Sequence, residues 1–213
     1  MYRPPEFLKA VKDELADWRL WADRLVVLLF AILAGLTVVA FTWLSEQAVT
    51  TFLRLHSQYF WMPLLWTPLL TMGIVILTRR FAAGVAGSGI PQVMAALSPE
   101  TPHGQRSLFV SLKLSAMKVG LTASGLLAGL SLGREGPSVQ IAAGVMHSAR
   151  RWLSPNSSIK DTGLLLAGGA AGIAAAFNTP LGGVMFAIEE LSKHPEHRHH
   201  GLLLAAIERA GKA

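Results

Sequence analysis

Three apolar stretches of this chain are each broken by a glycine or small polar residue followed by proline: Ser88-Gly89-Ile90-Pro91, Glu135-Gly136-Pro137 and Asn178-Thr179-Pro180. Proline fits the first turn of a helix, where its missing N–H would be unbonded anyway, so each break predicts a helix start. A helix that starts inside a membrane-depth segment is short and discontinuous. Its interrupted backbone is tolerated there only when buried in protein or lining a cavity. In transporters such half-helix N-termini point at anionic substrates near the bilayer midplane. The pattern predicts an all-α, polytopic membrane protein with tilted, discontinuous helices.

The middle break carries charge. Arg134 and Glu135 lie between Val119–Gly133 and Gly136–Met146, neither of which contains a charged residue. An ionisable side chain at that depth is costly and marks function. Gly136 lets backbone approach a ligand closely. Glu135 falls at a helix start, where free N–H groups and the helix dipole favour negative charge, and a small anion is favoured at the same point. One carboxylate and one anion competing for one site outline a proton-coupled gate.

Composition agrees with a membrane chain. It is 52% hydrophobic and 15% charged, with mean hydropathy +0.43, whereas soluble domains are about a quarter charged. The net charge of +6 does not point to nucleic acid, because the basic residues flank apolar spans and form no stripe beside aromatics. The absence of cysteine excludes disulfides, thiolate metal sites and thiol catalysis.

Residues 1–24 mix acidic and basic side chains and do not read as a signal peptide. They form either an amphipathic cytoplasmic helix against the membrane or a plain solvated leader. Leu25–Ser45 is long enough to span a bilayer. A loop with Glu46, Arg54 and His56 follows, then a second span from about Tyr59 to Thr78 that ends in Arg79-Arg80. The Lys/Arg distribution places the N-terminus and Arg79-Arg80 in the cytoplasm. Ser107–Ala149 reads as a helix bearing Lys113 and Lys118, the break, and another helix. Arg150, Arg151 and Pro155 mark a polar turn, and the small residues of Ala167–Ala176 suit close helix packing.

Taken together, Gly87–Pro91 (GSGIP), Gly133–Pro137 (GREGP) and Ala176–Glu190 (AFNTPLGGVMFAIEE) resemble, in order and spacing, the chloride channel and transporter (CLC) family. The resemblance covers roughly Leu25 to Leu203. It implies the first half of an inverted-repeat fold, with residues 1–24 as a cytoplasmic segment, 25–203 as the transmembrane region and 204–213 as an atypical tail. That tail reads as a truncated frame or an excised fragment. The resemblance implies an anion site at Gly87, Ser88, Gly89, Ile90 and Pro91, with Ser88 as central ligand, and at Arg134, Glu135 and Gly136. It makes Glu135 the gating glutamate and Glu190 the internal proton acceptor, with Glu189 beside it in a structural role. A glutamate at position 190 is similar to proton-coupled exchangers; passive channels of the family usually lack it. The resemblance thus implies chloride/proton antiport by a homodimer in an inner or plasma membrane, in contact with lipid, without cofactor, metal or nucleic acid. The alternatives are a non-transporting truncated fragment and a passive, voltage-gated-type chloride channel.

Blander readings stand beside these. Ser88 could be a helix cap. Glu135 could pair with Lys113 or Lys118, and Glu189 and Glu190 could mark only a helix end. His194, His197, His199 and His200 lack a ligand register and read as a polar loop. Gly84–Gly89 has no strand before it and no acidic partner after it, which excludes a dinucleotide loop. No nucleophile–base pair or phosphate loop suggests an enzyme.

Overall fold

The computed structural model describes residues 18–155 and 157–191. The leader up to residue 17, the histidine group His194–His200 and the tail 204–213 lie outside the described residues. All regular structure among the described residues is helical.

Helix α1 spans Trp18–Gln58. It carries the predicted first span and also the segment after Ser45 expected to be a loop. The expectation of a loop there is corrected: no glycine or proline occurs between Leu36 and Met62, and the charges at Glu46 and Arg54 sit on exposed positions while Ser45 and Ala48 are buried. A helix of 41 residues is about 60 Å long, so it runs well past the roughly 30 Å hydrocarbon core. Residues 18–24 of the leader belong to this same helix. Helix α2, Met62–Phe81, starts with Pro63 in its first turn and ends in Arg79-Arg80, as the second span predicts. These two helices are long and apolar enough to cross a membrane. Leu25, Leu28, Leu29, Ile32 and Leu36 form an exposed ridge on α1, and α2 has no buried residue.

Each proline break starts a helix. Helix α3, Ile90–Leu97, follows Gly89. Helix α4, Leu112–Leu127, is capped by Ser111, whose Oγ accepts the Leu114 N–H at 3.3 Å. Helix α5, Glu135–Ser148, begins at the GREGP break. Helix α6, Asp161–Phe177, ends at Asn178 in the left-handed region at φ 54°, and α7, Pro180–Phe186, starts two residues later. Ala187–Leu191 continue α7 as a wider helical turn. Asparagine tolerates the left-handed conformation because its short polar side chain bonds locally, which lets the chain turn before Pro180.

Helix α5 is the centre. Gly136–Met146 are all buried, which an uncharged run of small and apolar residues permits on every face. Ile141 and Met146 pack with Ala34, Val38 and Phe41 of α1 and Leu164 of α6. Val139 and Ala143 pack on another side with Val93 and Ala96 of α3 and Leu165 of α6. The contact with α6 is backbone-close: a Cβ at Gly172 would stand 2.6 Å from the Ser138 carbonyl oxygen, and one at Gly168 would stand 2.7 Å from Ala143 Cα. That is the small-residue packing expected of Ala167–Ala176.

Polar side chains stitch the rest. Gln140 of α5, fully buried, donates through Nε2 to the carbonyls of Gly84 at 2.9 Å and Phe109 at 2.8 Å. Trp66 and Thr67 of α2 donate to the carbonyls of Leu127 at 3.0 Å and Ala128 at 2.6 Å. These bonds close the exposed carbonyl end of α4, where the last turn lacks intrahelical partners.

Candidate functional site

The first two breaks meet. A Cβ on Gly136 would lie 2.6 Å from the Ser88 carbonyl oxygen, and one on Gly89 would lie 2.9 Å from the Gly136 carbonyl carbon. Only glycine permits two backbones to cross at that distance. Gly89 also sits at φ +118°, a conformation closed to L side chains.

Beside this crossing lies a cleft of about 580 Å³. It runs from Arg79, at the end of α2, to Glu135, at the start of α5, and Gly87, Ser88, Lys118 and Gly136 line it. Of the predicted anion-site residues, Gly87, Ser88, Glu135 and Gly136 therefore share one cavity. Arg134 does not: its guanidinium turns away to Glu46 of α1, with Nη1 3.1 Å from Oε1. Gly89, Ile90 and Pro91 do not line the cleft: Gly89 caps α3 and Ile90 and Pro91 begin it. Glu190 is exposed on the turn after α7 and is not in this cleft.

The cap reading of Ser88 fails. Gly89 occupies the capping position, and no side chain of Ser88 caps the helix. The work is done by Gln92, whose Oε1 accepts the Gly89 N–H at 2.9 Å while its Nε2 donates to the Ala86 carbonyl. A glutamine three residues after the cap is a sequence signature of helix starts, so this bond was legible. Its consequence is that the Gly89 N–H is already used and is not offered to a ligand. Ser88 is exposed to the cleft, and its hydroxyl has no partner among the described residues.

The ion-pair reading of Glu135 fails as well. Lys118 is buried and donates from Nζ to the carbonyls of Val85 at 2.8 Å and Gly87 at 2.6 Å. Lys113 is exposed on α4. Neither forms an ion pair with Glu135 among the described residues. Glu135 is the first residue of α5 and Gly136 the second, positions whose N–H groups have no intrahelical acceptor. Those donors, the α5 dipole and the cations Arg79 and Lys118 make the cleft favourable to an anion, and the Glu135 carboxylate lines the same cleft.

Lys118 is the residue that sequence reasoning offers only as a partner for Glu135. Its charge inside an apolar helix flags it, but its carbonyl partners lie 31 and 33 residues away, where no local pattern reaches. Replacing it tests the clamp. Lys118→Met should lower thermal stability in detergent by about 1–3 kcal/mol, because two inward carbonyls lose their donor. An unchanged melting temperature would show that the 85–87 segment holds itself.

Comparison with known proteins agrees with this geometry. The family model described as voltage gated chloride channel matches residues 69–210. The chain belongs to the voltage-gated chloride channel (CLC) family. Its matched region includes all three breaks and the cleft. The chain is also 32% identical over 197 residues to the H(+)/Cl(-) exchange transporter ClcA of Klebsiella pneumoniae strain 342, across 86% of this chain and 39% of that protein. It is 32% identical over 196 residues to the protein of the same name from Salmonella arizonae, across 87% of this chain and 39% of the relative. The chain thus spans about two fifths of the length of these CLC relatives. The helical fold of the described residues, interrupted at the three motifs, is consistent with the CLC architecture expected from the resemblance.

Proposed function

We propose that this chain forms the first half of a chloride/proton antiporter protomer, in an inner or plasma membrane with its N-terminus in the cytoplasm, working as a pair of identical subunits. The observation that carries the reading is the convergence of Ser88, Glu135 and Gly136 on one cleft, with the Ser88 hydroxyl and the Glu135 carboxylate free of protein partners among the described residues. The printed activity of the relatives, H(+)/Cl(-) exchange, supports the same choice.

In this reading chloride is held by the hydroxyl and N–H of Ser88 and by the free N–H groups at the start of α5. Ionised Glu135 competes for those same donors. Protonation neutralises Glu135, so it leaves the donors to the anion; loss of the proton returns it and expels the anion. Each exchange of occupant thereby moves a proton against a chloride. Lys118 shapes the cradle by fixing the carbonyls of Val85 and Gly87, which holds the loop before Ser88 in place.

Ser88→Pro, made in a complete version of the protein, should raise nitrate preference over chloride. It removes a hydroxyl and an N–H donor from the central site. Anion competition in loaded liposomes reads this, and identical selectivity would remove Ser88 from the site. Glu190 takes the role of proton carrier from the cytoplasmic side, by a route separate from the chloride cleft. Glu190→Gln should stop proton movement while chloride still passes. If both ions continue to move together, Glu190 only ends its helix.

A further inference from the structure

A second charged cavity shares no lining residue with the chloride cleft. It has a volume of about 710 Å³ and is lined by Arg106, Arg150, Lys160 and Asp161 with the hydroxyls of Ser157 and Thr162. Three cations and the Asp161 carboxylate line it, with Asp23 at its flank, so the cavity keeps a net positive charge. The ion pairs inside it are loose: Arg106 Nη1 stands 3.6 Å from Asp161 Oδ2, and Arg150 Nε stands 3.4 Å from Asp161 Oδ1. The Arg106 side chain is only 6% exposed, and its Nε and Nη1 have no hydrogen-bond acceptor among the described residues. A buried guanidinium with unused donors is expensive unless an anion meets it.

The cavity also has a defined level in the molecule. Asp23, near the start of α1, accepts the Ser154 N–H at 3.0 Å, so the cavity loop sits at the end where α1 begins. Its carboxylate flanks the cavity and is engaged by that bond. Trp152, next to Arg150 and Arg151, is 72% exposed, and Trp18 at the start of α1 is 73% exposed. Exposed tryptophans at one end of a membrane protein mark the headgroup level. Guanidinium groups match phosphate oxygens in geometry and charge.

We propose that this cavity binds a phosphate group, supplied by an anionic lipid headgroup or by soluble phosphate. Arg106 forms the floor, while Arg150 and Lys160 close over the ligand from the α5–α6 loop. Binding replaces the loose contacts to Asp161 and ties the loop between α5 and α6 to the segment that precedes α4.

The test uses the full 213-residue chain, purified in detergent and offered phosphatidylglycerol and phosphatidylcholine in equal amounts, with retained lipid read by native mass spectrometry. Phosphatidylglycerol should be retained preferentially. Lys160→Gln, at an exposed position, should reduce that preference about fivefold, and Arg150→Gln with Lys160→Gln should reduce it on the order of 10- to 30-fold. Lys160→Arg should restore it. Arg54→Gln, at the far end of α1, should leave it unchanged. In a second arm, inorganic phosphate should raise the melting temperature of lipid-free wild type but not of Lys160→Gln if the source is soluble. Selective retention assigns the lipid source, and a phosphate-only shift assigns the soluble one. The proposal is overturned if neither arm responds, or if Arg54→Gln reduces retention as much as Lys160→Gln. No chloride flux enters this measurement, so its failure is distinct from failure of the transport reading.

Discussion

Glu135→Gln, introduced into a complete version of the protein, should abolish proton movement while leaving a path for chloride. The side chain keeps its size and its hydrogen-bonding capacity but can no longer carry a proton or a charge. The effect should be large because, among the described residues, no other carboxylate lines the cleft. The other ionisable groups lining the cleft are the cations Arg79 and Lys118, and Lys118 is committed to the carbonyls of Val85 and Gly87. A neutral side chain also no longer competes as an anion for the α5 N–H groups, so chloride occupancy there should rise. Chloride-driven proton uptake into liposomes is the measurement. Uptake equal to that of the unaltered protein would end the assignment of Glu135 as gate and remove the central support for antiport.

Gly136→Ala should be destabilising, and this can be read on the 213-residue chain without any transport assay. The new Cβ would meet the Ser88 carbonyl oxygen at 2.6 Å and its carbon at 3.0 Å. Both atoms are backbone, so no side chain can swing away; the loop before α3 and the first turn of α5 must separate. Overpacking of this kind costs about 1–3 kcal/mol, and helix propensity, which favours alanine over glycine by roughly 1 kcal/mol, offsets part of it. Gly120→Ala is the matched comparison. Gly120 lies inside α4 with nothing within 4 Å of an added Cβ, so there alanine should hold or raise stability. Equal melting temperatures for the two variants would mean that the crossing of GSGIP and GREGP is looser than described. In a transporting version, Gly136→Ala should also impair chloride passage, since it moves Ser88 away from the donors at the start of α5.

Much of this architecture was legible in the chain. Proline placement marked where α3, α5 and α7 begin, because the missing N–H is harmless only in a first turn. The uncharged run Gly136–Met146 marked an apolar helix after the break, and the order of the three motifs identified the family; that this helix is buried along Gly136–Met146 came only from the structure. Local pattern failed where charge on a helix surface looked like a loop: Glu46 and Arg54 lie within α1. A helix continues through charged positions when they face outward and no residue breaks the backbone. That continuation is what carries Glu46 to Arg134, a pairing that no spacing rule anticipates.

The sequence by itself determined the helix starts, the apolar surfaces and the chemistry available at Ser88, Glu135 and Glu190, because these depend on each residue's own backbone and titration properties. Tertiary structure decided which of them meet. Ser88 and Gly136 are brought together by two glycine-permitted backbone approaches, while Arg134 is drawn off to α1 and the Gly89 N–H is taken by Gln92. Lys118, readable only as a charge in the wrong place, becomes the clamp on Val85 and Gly87. Such pairings depend on how α1, α4 and α5 pack, and packing is a property of surfaces assembled from distant segments, which no local run of residues contains.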